Sequence, residues 1–113
     1  MAKTTFTGRL QDVKVFQKEG NKNYVLTIRE QNDYKNKTGE FAGKYGSQFF
    51  DVRFFAKTEK QEEFIENVIA PRKGDNNKIM SVECEIRNNN FTDKDGNNRY
   101  ENQFVAQDFK LLN

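Results

Sequence analysis

The sequence predicts an all-β protein with five strands and a single helix between the third and fourth strands. Apolar and polar residues alternate through most of the chain, Gly- and Asn-rich turns separate the alternating segments, and only one segment has helical apolar spacing. This order of elements is that of the OB-fold, a five-stranded Greek-key barrel. A chain of 113 residues is expected to form one such domain, spanning residues 1–113.

The first strand is predicted over residues 4–17 and is expected to bend. Its apolar alternation runs to Leu10 and resumes out of phase at Val13 and Val15, which indicates a bulge near Gln11 and Asp12. After a turn at residues 19–21, the second strand is predicted over residues 23–30. Its apolar face consists of Tyr24, Leu26 and Ile28.

Residues 31–47 are predicted to form a long mobile loop, because they are polar and hold three of the seven glycines. Lysines alternate with aromatic residues in this segment. It is therefore either an arm that wraps a flexible nucleic-acid strand or an ordinary solvated loop. The lysines and aromatics concerned are Tyr34, Lys35, Lys37, Phe41, Lys44 and Tyr45.

The third strand, predicted over residues 48–56, carries aromatic residues on both faces. Phe50, Val52 and Phe54 share one face, and Phe49, Arg53 and Phe55 share the other. Rings that stay exposed can stack on nucleobases, while Arg53 and Lys57 can neutralise phosphates. The alternative is that both faces of this strand are packed in the core.

A helix is predicted over residues 59–69, followed by two further strands. Thr58 and Gln61 form a capping box, and Pro71 is expected to end the helix. Its apolar stripe consists of Phe64, Ile65, Val68 and Ile69. A turn is expected at residues 72–77, the fourth strand over residues 78–88, a hairpin tip at residues 93–97 and the fifth strand over residues 99–112.

Charge and composition favour a binding protein over an enzyme. The net charge is +2, but residues 1–57 hold 11 Lys and Arg against 6 Asp and Glu, a local charge of +5. The chain has no histidine and a single cysteine, Cys84, so no nucleophile–base pair or metal-ligand cluster is apparent. We expect no enzyme activity, cofactor, metal or small-molecule substrate. No apolar stretch reaches membrane-spanning length, which predicts a soluble intracellular protein.

Four segments together resemble the single-stranded DNA-binding (SSB) family of bacteria and phages. They are residues 6–10 (FTGRL), 26–28 (LTI), 49–57 (FFDVRFFAK) and 91–100 (FTDKDGNNRY). The last resembles the family hairpin Trp/Tyr-x-Asp-x-x-Gly-x-x-Arg-Tyr almost position for position. In the third segment, Ala56 replaces the glycine of the family's Phe-Gly-Lys.

The resemblance implies binding of single-stranded DNA by base stacking and by Lys or Arg contacts to phosphates. Phe49, Phe91 and Tyr34 match positions where members often have tryptophan, and Phe55 matches a stacking phenylalanine. The DNA-binding residues predicted in this way, or from the basic loop, are Lys3, Tyr34, Lys35, Lys37, Lys44, Phe49, Arg53, Phe55, Lys57, Arg87, Phe91 and Tyr100.

The resemblance also implies a biological setting. Cellular members continue into a linker and an acidic tip, whereas this sequence stops at Asn113, which favours a phage-encoded member acting in the cytoplasm of a bacterial host. Its expected role is to coat and protect single-stranded DNA in replication, recombination and repair, as a homo-oligomer (dimer or tetramer). Two alternatives remain open: an OB-fold protein-interaction module of a replisome, and an RNA-binding protein.

Overall fold

The computed structural model describes residues 2–113, and five strands in them close into a barrel. The strands are β1 (Lys3–Lys18), β2 (Asn21–Lys35), β3 (Tyr45–Phe55), β4 (Met80–Thr92) and β5 (Asn98–Leu111). The helix α1 (Glu59–Phe64) lies between β3 and β4, continues as a π-helical turn (Ile65–Ile69), and ends in a 3₁₀ turn (Ala70–Arg72). Around the barrel the order is β1-β2-β3-β5-β4, and only the β3–β5 pairing is parallel. The predicted order of elements is confirmed.

Strand β1 pairs with two neighbours because it bends at a bulge. Its first half pairs with β4 and its second half with β2. The register with β2 shifts between Leu10 and Asp12, which leaves Gln11 unpaired and confirms the predicted bulge. The resulting bend lets a single strand close the barrel.

The core lies inside the barrel and under the helical segment. Phe50 stacks on Phe6 with ring centres 4.5 Å apart, and Phe54 meets Phe109 at 5.6 Å. The buried core consists of Phe6, Leu10, Tyr24, Leu26, Ile28, Val52, Ala56, Ile65, Ile69, Met80, Val82, Cys84 and Ala106. The predicted apolar alternation of β1 and the apolar stripe of the helix both extend past the core, because Val15 and Val68 are exposed.

The cap of α1 is as predicted, but its end is not. The Thr58 hydroxyl accepts a hydrogen bond from the Gln61 N–H, and the Gln61 side chain accepts one from the Lys57 N–H. The helical segment runs through Pro71 to Arg72, so the prediction that Pro71 ends it is wrong. Proline lies at the start of a 3₁₀ turn, where its fixed φ fits and no N–H is required.

The predicted mobile loop at residues 31–47 is wrong at both ends. Strand β2 continues to Lys35 and β3 begins at Tyr45, opposite Lys35. The tip is closed by hydrogen bonds from Asn36 N–H to the Lys44 carbonyl (2.9 Å) and from Gly43 N–H to the Asn36 carbonyl (2.8 Å). We call residues 31–47 the β2–β3 arm.

The β4–β5 hairpin also extends past its predicted limits, to Thr92 and Asn98, and we call residues 88–102 the β4–β5 arm. The radius of gyration is 16.1 Å. A compact domain of this length is expected to have about 13 Å. The excess is consistent with two arms that project from the barrel.

Candidate nucleic-acid interface

Strand β3 presents aromatic and basic side chains on the side of the sheet that faces away from the core. Val52 is fully buried, whereas Phe49 on the opposite side is 58% exposed. Arg53 and Phe55 alternate with the core residues and so share the side of Phe49, where both are partly exposed. We call this side the outer face. The interpretation in which both sides of β3 are core is therefore wrong.

At the end of β3, the structure brings three predicted residues together around one concavity. Phe55, Lys57 and Arg87 line it, with Val105 and Gln107 between them. An aromatic ring beside two cations is suited to a base and its flanking phosphates.

Arg87 is already engaged in an ion pair with Glu85. Its Nε lies 3.1 Å from Glu85 Oε1, and a second nitrogen lies 3.2 Å from Oε2. This bidentate hydrogen bonding lowers the pKa of Glu85 and raises that of Arg87. A phosphate therefore has to compete with the Glu85 carboxylate for Arg87.

A second concavity lies beside Arg53, where β3 and β5 diverge. Its walls include Asp51, Arg53, Glu101 and Gln103. Asp51 accepts a hydrogen bond from the Thr27 hydroxyl at 2.7 Å. The two carboxylates disfavour phosphates here, but they can accept hydrogen bonds from the amino groups of bases.

The β4–β5 arm carries Phe91 and Tyr100 on opposite sides. Phe91 pairs with Arg99 and Tyr100 pairs with Asn90, so the pleat turns the two rings away from each other. Phe91 is 44% exposed and lies on the outer-face side, in phase with Arg87. Tyr100 is more exposed still, and although the two rings project to opposite sides, both border one concavity of the arm together with Arg99.

The β2–β3 arm holds four further predicted residues, Tyr34, Lys35, Lys37 and Lys44. Lys35 Nζ lies 5.6 Å from the centre of the Tyr45 ring, within the range of a cation–π contact. The side chains exposed along this arm are Tyr34, Lys35, Lys37, Phe41, Lys44 and Tyr45.

Lys3 is the predicted residue that the fold does not bring to β3. It lies on β1 opposite Glu85 of β4, and β5 separates that strand from β3. Its Nζ pairs with Glu83 at 3.4 Å, with both side chains about half exposed, so the pair is weak.

The sequence reasoning missed three outer-face residues. Arg29 lies directly opposite Phe49, next to the most exposed ring of β3, and donates to the Asn76 side chain at 3.0 Å. Lys14 and Phe16 lie on β1 in the same phase as Asp12 and are exposed. The sequence does contain an indication of Lys14 and Phe16. After the bulge the alternation changes phase, so from Asp12 onward the even-numbered residues of β1 lie on the outer face.

The single cysteine, Cys84, is buried in the core. Burial raises the pKa of the Cys84 thiol to about 11, so it is a packed side chain rather than a nucleophile. No group of three potential metal ligands is found within residues 2–113. In the same part of the chain, no helix has the length and apolar character needed to cross a membrane.

The sequence matches no protein-family model and no curated protein. The backbone is similar to that of Rim1, a mitochondrial single-stranded DNA-binding protein of S. cerevisiae. The TM-score is 0.67 at 21% identity, over 98% of this chain and 94% of that one. It is also similar to the Plasmodium falciparum SSB in complex with ssDNA, with a TM-score of 0.65 at 12% identity, over 100% and 96%. At these identities the likeness establishes the fold, and the predicted OB-fold is confirmed.

Proposed function

We propose that this protein binds single-stranded DNA with little dependence on base sequence, as a binding protein and not as an enzyme. The observation that carries the proposal is the exposure of Phe49 and Phe91 on the outer-face side, in phase with Arg53, Phe55 and Arg87. Every nucleobase has a flat face that a ring can stack on, whatever its sequence. In a duplex those faces are covered, so the rings favour unpaired strands.

The distribution of charge also supports binding of a polyanion. Two carboxylates of the helical segment, Glu62 and Glu66, pair with Lys22 at 4.0 and 3.0 Å, and Lys22 alternates in phase with the buried Tyr24. These two carboxylates therefore lie off the outer face. A net charge of only +2 thus understates the attraction that a phosphate backbone meets beside Arg53 and Lys57.

The comparisons support the same proposal. Both similar structures are of single-stranded DNA-binding proteins, and one contains the DNA. From this likeness and the sequence resemblance we extend the proposal to the role of coating and protecting single-stranded DNA in phage replication, recombination and repair. The sequence resemblance, rather than the likeness to a mitochondrial protein, favours a homo-oligomer in the cytoplasm of a bacterial host.

Fluorescence anisotropy of a labelled oligo-dT tests the proposal. We expect tight binding at low salt, with log Kd depending on log salt with a slope of about 0.7 per phosphate neutralised. Oligo-rU and a duplex of equal length serve as competitors, and incubation with Mg²⁺ should leave the DNA intact. Failure to bind oligo-dT would favour the protein-interaction module, and stronger binding of oligo-rU would favour the RNA-binding protein.

A further inference from the structure

Phe16, near the end of β1, lies in one row with the predicted stacking residue Phe55. The β1–β2 register pairs Phe16 with Asn23, and the β2–β3 register pairs Asn23 with Phe55. Paired residues of an antiparallel ladder project to the same side of the sheet. Phe16 is therefore on the outer face, and it is 50% exposed.

A cationic row runs beside this aromatic row. Lys14 pairs with Val25, which pairs with Arg53. Lys14 is exposed and forms no ion pair within the described part of the chain. The outer face of β1 thus repeats the arrangement of β3, with an aromatic ring two residues from a cation.

The row next to Lys14 and Arg53 is acidic and limits how far the cationic surface extends. Asp12 pairs with Thr27, which pairs with Asp51. Lys73 pairs with Asp12 at 3.1 Å, and Thr27 donates a hydrogen bond to Asp51. Because carboxylates occupy both ends of this row, a phosphate is favoured at Lys14 and disfavoured one row further on.

The spacing indicates that Phe16 would hold a base of its own. Two strand separations place the backbones of Phe16 and Phe55 about 10 Å apart. Stacked rings have centres about 4.5–7 Å apart, so two rings held this far apart are not stacked on each other and each keeps a face of its own for a base. Beside Phe55 lies a concavity lined by Glu19, Asn21, Asn23, Ala56 and Lys57, of which Asn23 is the partner of Phe16. Its amides can donate to and accept from base edges.

We propose that Phe16 and Lys14 form an additional binding position for one nucleotide, with its base on Phe16 and a phosphate at Lys14. The bound strand then continues from Phe55 across the β1–β2 hairpin. This inference rests on the proposed single-stranded DNA binding. It adds a position on β1 to those on β3 and the two arms.

A tryptophan reporter tests the position directly, because the natural chain has no tryptophan. In Phe16→Trp, a stacked base should quench the indole emission as oligo-dT is added, with the midpoint seen by anisotropy of the labelled DNA. The matched control is Val15→Trp. Val15 is 51% exposed on the same hairpin but faces the other side, opposite Tyr24, so its emission should not change.

Affinity provides a second readout. Phe16→Ala should weaken binding of a long oligo-dT by roughly 5- to 150-fold, and Lys14→Gln should lower the salt slope by about 0.7. Val15→Ala and Lys60→Gln, on the helix, are the controls. If oligo-dT binds the wild type but Phe16→Trp is not quenched and Phe16→Ala matches Val15→Ala, the position on β1 is wrong and the proposed function stands. If the wild type does not bind, the proposed function itself fails.

Discussion

Asp93 and Arg99 form an ion pair across the tip of the β4–β5 arm, with Arg99 Nε 2.8 Å from Asp93 Oδ2. The other carboxylate oxygen of Asp93 accepts hydrogen bonds from the N–H groups of Asp95 and Asn97. One side chain thus closes the turn and holds Arg99 in place opposite Phe91.

We expect Asp93→Ala to open this tip and to weaken single-stranded DNA binding by less than the loss of the Phe91 ring itself. The turn N–H groups lose their acceptor, and Phe91 is then held less firmly. Hydrogen exchange of the Asp95 and Asn97 amides measures the opening, and anisotropy measures the binding. Asp95→Ala is the control, because only the backbone of Asp95 takes part in these bonds. Unchanged protection in Asp93→Ala would contradict the role of the carboxylate.

The same tip should respond to acid. Hydrogen bonds from the Asn97 backbone and from Arg99 lower the pKa of Asp93 below its ordinary value of 3.8. A group whose pKa is lower in the folded state stabilises that state above the unfolded pKa, and this contribution is lost as the pH falls through the folded pKa. Amide protection at the tip should therefore be constant from pH 7 to about pH 4 and fall below it. Loss of protection already at pH 6 would exclude Asp93 as the cause.

Glu85→Gln is expected to increase affinity for single-stranded DNA. At neutral pH the Glu85 carboxylate is charged and holds Arg87 in a bidentate pair, so its removal frees the guanidinium for a phosphate. The salt dependence should steepen by up to about 0.7 in the log–log slope. Anisotropy titrations over a salt series measure both effects.

A matched control separates this local effect from a change in net charge. Glu59→Gln removes one exposed negative charge on the helix, and Glu59 neither pairs with Arg87 nor lines the concavity that contains it. If Glu85→Gln and Glu59→Gln have the same affinity and slope, the ion pair does not limit binding. The double variant Glu85→Gln, Arg87→Gln should lose the gain.

The strands of the barrel could be predicted from the sequence because burial leaves a period of two. Leu26 and Val52 alternate with outward residues, and the phase shift at Gln11 indicated the bulge correctly. The arms could not be predicted in this way. A two-stranded arm exposes both of its sides, so Lys35 and Tyr45 have no apolar period even though they pair in the sheet.

The candidate site could be predicted where an aromatic residue occupies a position that alternation predicts to be polar. Phe49 on β3 is such a residue. Phe16 was missed because the apolar alternation after the bulge was recognised at Val13 and Val15, on the other side of the strand. Val15 lies opposite the buried Tyr24, but it is exposed, and alternation does not report where the core ends along a strand. The pairing of Glu85 with Arg87 also requires coordinates, since sharing a face does not establish a contact.

Phe49→Ala and Phe91→Ala should each weaken binding of oligo-dT by about 1–3 kcal/mol, because each removes one exposed stacking ring. Circular dichroism should show an unchanged fold, since neither ring belongs to the core. Val68→Ala, which shortens an exposed apolar side chain on the helical segment, is the control. Wild-type affinity in both ring variants would contradict the stacking mechanism. Tyr100→Ala should have a smaller effect than Phe91→Ala, because Tyr100 lies on the other side of the arm.

Gly8→Ala should destabilise the barrel. A Cβ at Gly8 would lie 2.2 Å from the backbone carbonyl oxygen of Arg29, and a backbone cannot move aside as a flexible side chain can. Overpacking of this kind costs about 1–3 kcal/mol of unfolding free energy, measured by urea denaturation. Gly46→Ala is the control, because its nearest neighbour is the Asn32 side-chain nitrogen at 3.0 Å, which can rotate away. Gly8 is the last residue of β1 that pairs with β4, and the pairing with β2 begins at the next residue. Equal urea midpoints for the two variants would contradict the prediction. They would mean that β1 can shift at Gly8 without destabilising the closed barrel.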